Sequence, residues 1–278
     1  MIPSLVLIKV LITVSLVLLI SFIAERVSPR VAGIISGFPL GSAIVLFFLG
    51  LQISPDFASD SSVYDMAGIL AFLFFVFVYY KTSVMFKKYS ILISPILASL
   101  GFFFVAVILQ FLKFTIYYSL LLSILSILLF IYLFKDIEDV RVNKVISLDY
   151  KILFSRAIFA TIVIIVITEI ANSVGSTWSG LLSAFPKTVF PILLIMHFSY
   201  GIKPTNSIIK NLPRGLGSLV VYDLSVFVLY PTYGIYIGTI ISLILAIIYS
   251  SFAHIASRRQ QSLKNPQMVK PYERLYIL

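Results

Sequence analysis

Apolar residues run through this chain in long blocks, and polar residues gather in the short gaps between them. A helix that crosses the hydrocarbon core of a bilayer needs about 20 mostly apolar residues. Nine stretches meet that condition and predict helices over 4–24, 31–53, 64–80, 90–111, 114–134, 153–174, 177–200, 207–230 and 233–254. The gaps carry turn chemistry. Pro55, Asp56 and Asp60 predict a turn after the second stretch and Lys81 to Lys88 one after the third. Pro204 and Asn206 follow the seventh, and Pro231 and Thr232 separate the last two. The first stretch lacks the charged start and small-residue cleavage site of a signal peptide, so it is expected to stay as a helix. The fold class predicted is an all-α polytopic membrane protein.

Two of these stretches open on nearly the same words. Val27-Ser28-Pro29-Arg30-Val31-Ala32-Gly33-Ile34-Ile35-Ser36-Gly37-Phe38-Pro39 recurs as Val174-Gly175-Ser176-Thr177-Trp178-Ser179-Gly180-Leu181-Leu182-Ser183-Ala184-Phe185-Pro186. Later, Val76 to Tyr80 resembles Val226 to Tyr230. Self-similarity of this kind marks an internal duplication. Spans one to four pair with six to nine and leave the fifth over. Four helices return a chain to its starting side, so one extra helix inverts the second copy. The prediction is a 4+1+4 inverted repeat, the logic of many secondary transporters. Its parts are 1–112 (repeat one), 113–151 (inverting helix and loop), 152–256 (repeat two) and 257–278 (a basic tail on the anionic cytoplasmic leaflet).

Charge adds an orientation. Lys and Arg concentrate in alternate gaps: Arg26 and Arg30; Lys81, Lys87 and Lys88; Lys135, Arg141, Lys144 and Lys151; Lys203, Lys210 and Arg214; and the tail from Arg258 to Arg274. The other gaps hold Lys113 alone. Cytoplasmic loops carry the positive charge, so the amino terminus is expected outside and the carboxyl terminus inside. The net charge of +10 is thereby a topology signal, and no nucleic-acid partner is expected. Composition agrees, with 60% apolar and only 12% charged residues against about a quarter charged in soluble domains. With no Cys and only His197 and His254, thiolate and histidine metal sites are excluded, and no metal or cofactor is expected.

The repeated motif has its own mechanics. A proline inside a helix removes one donor and clashes with the carbonyl four residues back. Pro39 and Pro186 therefore predict helix breaks, with Gly33 and Gly180 permitting close approach and Ser36 and Ser183 partly satisfying the freed groups. Broken helices at membrane depth are tolerated where they are buried or line a cavity. The competing explanation is a proline kink with small-residue packing.

The doubled motif resembles the GlpM-like family of small four-helix inner-membrane proteins, and more closely bacterial and archaeal membrane proteins carrying a doubled version of it. The segments that match are Glu25 to Leu51 and Asn172 to Gly201. The plan also resembles the drug/metabolite transporter superfamily, in which small members dimerise in opposite orientations and larger ones are fused duplicates. These resemblances imply an architecture and a prokaryotic plasma (inner) membrane, and no substrate.

Ionisable residues within a bilayer are costly and face a cavity or one another. Away from predicted helix ends they are Glu169, Lys187, His197 and Asp223, all in the second copy. At 1.5 Å per residue, Glu169 and Asp223 fall about 8 and about 10 Å from the outer helix ends and Lys187 about 15 Å deep. Lys187, Glu169, Asp223, Ser183 and Ser36 are thus the expected substrate or ion site. Lys187 is assigned to an anionic group or a coupling carboxylate, Glu169 to the leading proton carrier and Asp223 to a second acid. His197 is expected to be a satisfied interfacial residue, Trp178 an interface anchor, and Lys9 a snorkelling side chain near a helix end. The function expected is a secondary transporter or permease of a small solute, with the proton as candidate coupling ion, acting as a monomer or homodimer. A non-transporting scaffold or assembly factor is the second reading. An intramembrane enzyme ranks third, because clustered Asp residues, a helical His pair and a Gly-flanked nucleophilic Ser are all missing.

Overall fold

A computed structural model describes residues 7–15, 38–86, 89–139 and 150–264. Among these residues the regular structure is helical throughout. The elements are α1 (7–15), α2 (Leu40–Gln52), α3 (Pro55–Met85), α4 (Ser90–Gln110), α5 (Ile116–Leu133), α6 (Tyr150–Ser183), α7 (Val189–Tyr200), α8 (Ile202–Gly215) and α9 (Gly217–Lys264). Five segments are long and apolar enough to cross a membrane: Pro55–Met85, Ser90–Gln110, Ile116–Leu133, Ala157–Ser183 and Ile202–Phe252.

α3 is the hub and touches α2, α4, α5, α6, α8 and α9. It starts nine residues earlier than the apolar run predicts, and the reason is local. The Ser54 hydroxyl accepts from the Phe57 amide at 3.0 Å and Pro55 takes the first helical position, the two features that favour a helix start. Asp56 and Asp60 therefore belong to the helix and not to a turn. The serine-rich stretch after them is buried at Ser59, Ser61 and Ser62.

The outer helices are apolar outward and small or polar inward. α5 buries Ser119, Ser123, Ser126 and Phe130, spaced for one face, and exposes Leu121, Leu125, Leu128 and Tyr132. α4 buries Ser94, Ala98 and Ala106 and exposes Leu92, Ile96, Leu100 and Phe104. Against lipid, helices associate through close packing of small residues and not through hydrophobic burial. Glycines carry the same packing into the centre. A Cβ at Gly180 of α6 would lie 2.1 Å from the Ser61 carbonyl oxygen, and one at Gly68 of α3 would lie 2.5 Å from the Ala184 Cβ.

Two long helices are bent where glycine allows it. Gly175 within α6 has φ 77° and ψ 175°, and Gly234 within α9 has φ 75° and ψ 173°, a region open essentially to glycine alone. The predicted eighth stretch is also divided. Pro213 closes α8 at Gly215, and α9 begins at Gly217.

Candidate functional site

The second copy of the motif breaks its helix as proline chemistry requires. α6 ends at Ser183 and α7 begins at Val189. Pro186 offers no amide to Leu182, and the Leu182 carbonyl is taken instead by the Phe185 amide at 3.0 Å. The Lys187 amide turns back to the Phe185 carbonyl at 2.6 Å, which leaves the Ser183 carbonyl without its helical donor. Two side chains replace that donor: the Lys187 ammonium and the Ser42 hydroxyl, the latter at 3.3 Å.

The described part of the first copy makes the same turn. The Leu40 amide donates to Phe38 at 2.9 Å and the Ala43 amide to Pro39 at 2.7 Å. Their counterparts are Lys187 to Phe185 at 2.6 Å and Phe190 to Pro186 at 2.7 Å. Both turns line one cavity of about 30 Å³, together with Gly41, Ser42, Phe72, Ser183, Lys187 and Thr188. That volume admits one or two waters, since a single water needs about 10–15 Å³. Gly33 and Ser36 lie outside the described residues.

Lys187 lines this cavity, and two buried carboxylates act on it electrostatically. Lys187 is 2% exposed, Asp65 of α3 0% and Asp223 of α9 0%. The electrostatic neighbours of Lys187 are first Asp65 and then Asp223. Ser183 donates to Asp65 Oδ2 at 3.0 Å. Asp65 Oδ1 and both oxygens of Asp223 have no hydrogen-bond partner. Gly41 gives the lysine its channel, because a Cβ there would lie 2.7 Å from Lys187 Cε. One ammonium thus faces two carboxylates, with all three residues buried.

Glu169 is not part of this cluster. Lys9 Nζ meets Glu169 Oε1 at 2.7 Å and also donates to Thr168 Oγ1 at 2.7 Å. Lys9 is 0% exposed, so it is a buried tether from α1 to α6 and not a snorkelling side chain. Glu169 therefore stands apart from Lys187: its partner is Lys9, whereas the carboxylates that act electrostatically on Lys187 are Asp65 and Asp223. The expectation that deep ionisable residues lie only in the second copy is corrected by Asp65. Its signal was present, because a helix starting at Pro55 places Asp65 about 15 Å along its axis.

The remaining residues have structural partners. His197 is buried, with Nδ1 3.1 Å from the Tyr79 hydroxyl and Nε2 3.1 Å from the Ser90 hydroxyl, as expected of a satisfied histidine. Trp178 packs partly buried against the larger apolar cluster. Gly180 serves helix contact, as above. Pro39 and Pro186 both line the cavity. At the other end of α8, Asp139 accepts from Asn211 at 2.8 Å and pairs with Lys210 at 3.4 Å.

These observations define the class: an all-helical protein with helices of membrane-crossing length and a buried charge cluster at a broken helix. Compared with known proteins, the chain matches no family model, no curated protein and no solved structure.

Proposed function

We propose that this is a secondary transporter or permease of a small solute, with its site at the cavity between the two Phe-Pro turns. The observation that carries the reading is the convergence of both motif copies on one cavity beside the buried Lys187. Paired broken helices meeting at depth are how inverted-repeat transporters build a binding site. Charges kept in such a place at high cost mark solute or ion paths. The cavity is small, so the reading requires an open form in which the turns separate.

The proposal includes nine spans in a 4+1+4 inverted repeat, a prokaryotic plasma membrane, and an outside amino terminus. The glycine breaks at Gly175 and Gly234 support the span count, since the first falls in the gap before the seventh stretch and the second lies two residues past the gap before the ninth. The shared hydrogen bonding of the two turns supports the duplication. A scaffold remains the second reading, favoured by the central position of α3, which packs against six other helices.

The test is solute-induced charge movement or flux in liposomes holding the purified protein, screened over organic acids, amines, sugars and inorganic ions. The expected result is a response to one chemical class that Lys187→Met abolishes. Stable, correctly inserted protein with no response in any class would favour the scaffold.

A further inference from the structure

We infer that the buried charge cluster is a one-proton site, in which Asp223 carries an exchangeable proton while the opposite charges of Lys187 and Asp65 balance one another. This deepens the transport reading and rests on it only for its use, because the proton site is measurable without transport.

With all three groups ionised, the cluster holds two negative charges and one positive, at 0%, 0% and 2% exposure. An unmatched charge in so dry a place is strongly disfavoured. One proton restores neutrality. The geometry then selects its carrier. Asp65 has the Ser183 hydroxyl at 3.0 Å and is the first electrostatic neighbour of Lys187, so its charge is compensated twice. Asp223 accepts no hydrogen bond at either oxygen. The groups that face it electrostatically are Asp65 and Lys187. Tyr222, next to it on α9, is a neighbour of both carboxylates and joins Tyr230 at 3.4 Å. α2 contributes the Ser42 hydroxyl, which donates to the Ser183 carbonyl at 3.3 Å and stands beside Asp65, adding to the compensation of that carboxylate.

A metal cation fits less well than a proton. Cations held by oxygen take several oxygen ligands at once, about six to eight for calcium. Among the described residues, no group of three or more His, Cys, Asp or Glu side chains could hold a metal ion. A proton needs one oxygen. The step is simple: the Asp223 O–H bond breaks, the electron pair stays on the carboxylate, and the proton passes to water when the cavity opens to one side. The reverse step reloads it from the other side.

The test is infrared spectroscopy of the full chain in lipid at neutral pH, with the aspartate carboxyl carbons isotopically labelled. The wild type is expected to show a label-sensitive carboxylic C=O band. Asp223→Asn should lose it, and Asp223→Glu should restore a band that no longer shifts with the aspartate label. Lys187→Met should roughly double the band, because two carboxylates then need two protons. No band in the wild type, or a band that survives Asp223→Asn, overturns the proposal; the wild-type measurement needs no variant to fold. Liposome flux without the band would leave transport standing and remove the proton site. The band without flux would keep the proton site and remove transport.

Discussion

Lys187 shows what one side chain does at a broken helix. Its amide bonds Phe185, its ammonium covers the Ser183 carbonyl, and its charge faces Asp65 and Asp223. Removing one member of a buried charge set strands the rest, so energetic coupling should follow these contacts. Double-mutant cycles on thermal stability in detergent are the measurement. Lys187→Met with Asp65→Asn should be less damaging than the single changes predict, with a coupling of about 0.5–3 kcal/mol. Lys9→Met with Glu169→Gln should behave likewise, through the 2.7 Å contact. Lys187→Met with Glu169→Gln should be additive, because those residues share no partner. Strong coupling in that last pair would refute the assignment. Ser183→Ala should cost about 1–3 kcal/mol by leaving a buried carboxylate oxygen of Asp65 without its donor, with the midpoint of thermal unfolding as readout.

At the scale of elements, glycine does two different jobs. Gly175 and Gly234 occupy a backbone region other residues avoid, and a Cβ at either would meet nothing within 4 Å. Alanine there is expected to cost about 1–3 kcal/mol from backbone strain alone. Gly180 has an ordinary helical backbone and no space, since the Ser61 carbonyl oxygen would stand 2.1 Å away. Alanine there must part α3 from α6, at about 1–3 kcal/mol or more, and should also loosen the Ser183–Asp65 contact. The two cases separate on crosslinking between α3 and α6. Gly180→Ala should reduce it, whereas Gly175→Ala should lower stability and leave it intact. Equal effects on crosslinking would show that both glycines act in the same way.

For the whole molecule, the decisive property is the inverted distribution of polarity. Large apolar side chains cover the outside of α4 and α5, while serines line their inner faces. Only a solvent as apolar as lipid suits that arrangement. The orientation proposed from the basic gaps is testable because the chain has no cysteine. Lys113 and Asp136 are exposed at opposite ends of α5. Single-cysteine variants Lys113→Cys and Asp136→Cys should react with a membrane-impermeant maleimide from outside in the first case and only after permeabilisation in the second. Labelling of both from one side would refute α5 as a crossing helix and with it the inversion of the second half.

How much of this was legible in the sequence differs by residue. The all-helical class followed from the apolar blocks, because the length and period of such runs are local properties of the chain. The break at Pro186 was equally legible, since a missing amide acts on its own helix, and the burial of Lys187 and Asp223 followed from their depth in apolar runs. The start of α3 was not, because the Ser54–Pro55 cap extends the helix into polar residues that hydropathy reads as a gap. Asp65 was missed for the same reason, although Ser54-Pro55 is itself a helix-start signal. The partner of Glu169 could not be read at all. Lys9 and Glu169 are 160 positions apart, and which lysine reaches which carboxylate depends on how α1, α2 and α6 pack. Sequence alone determined the solvent of this protein and the break at Pro186, because both are set by neighbouring residues. Tertiary structure alone decided which charges share a site, because charge pairing is a matter of distance in space.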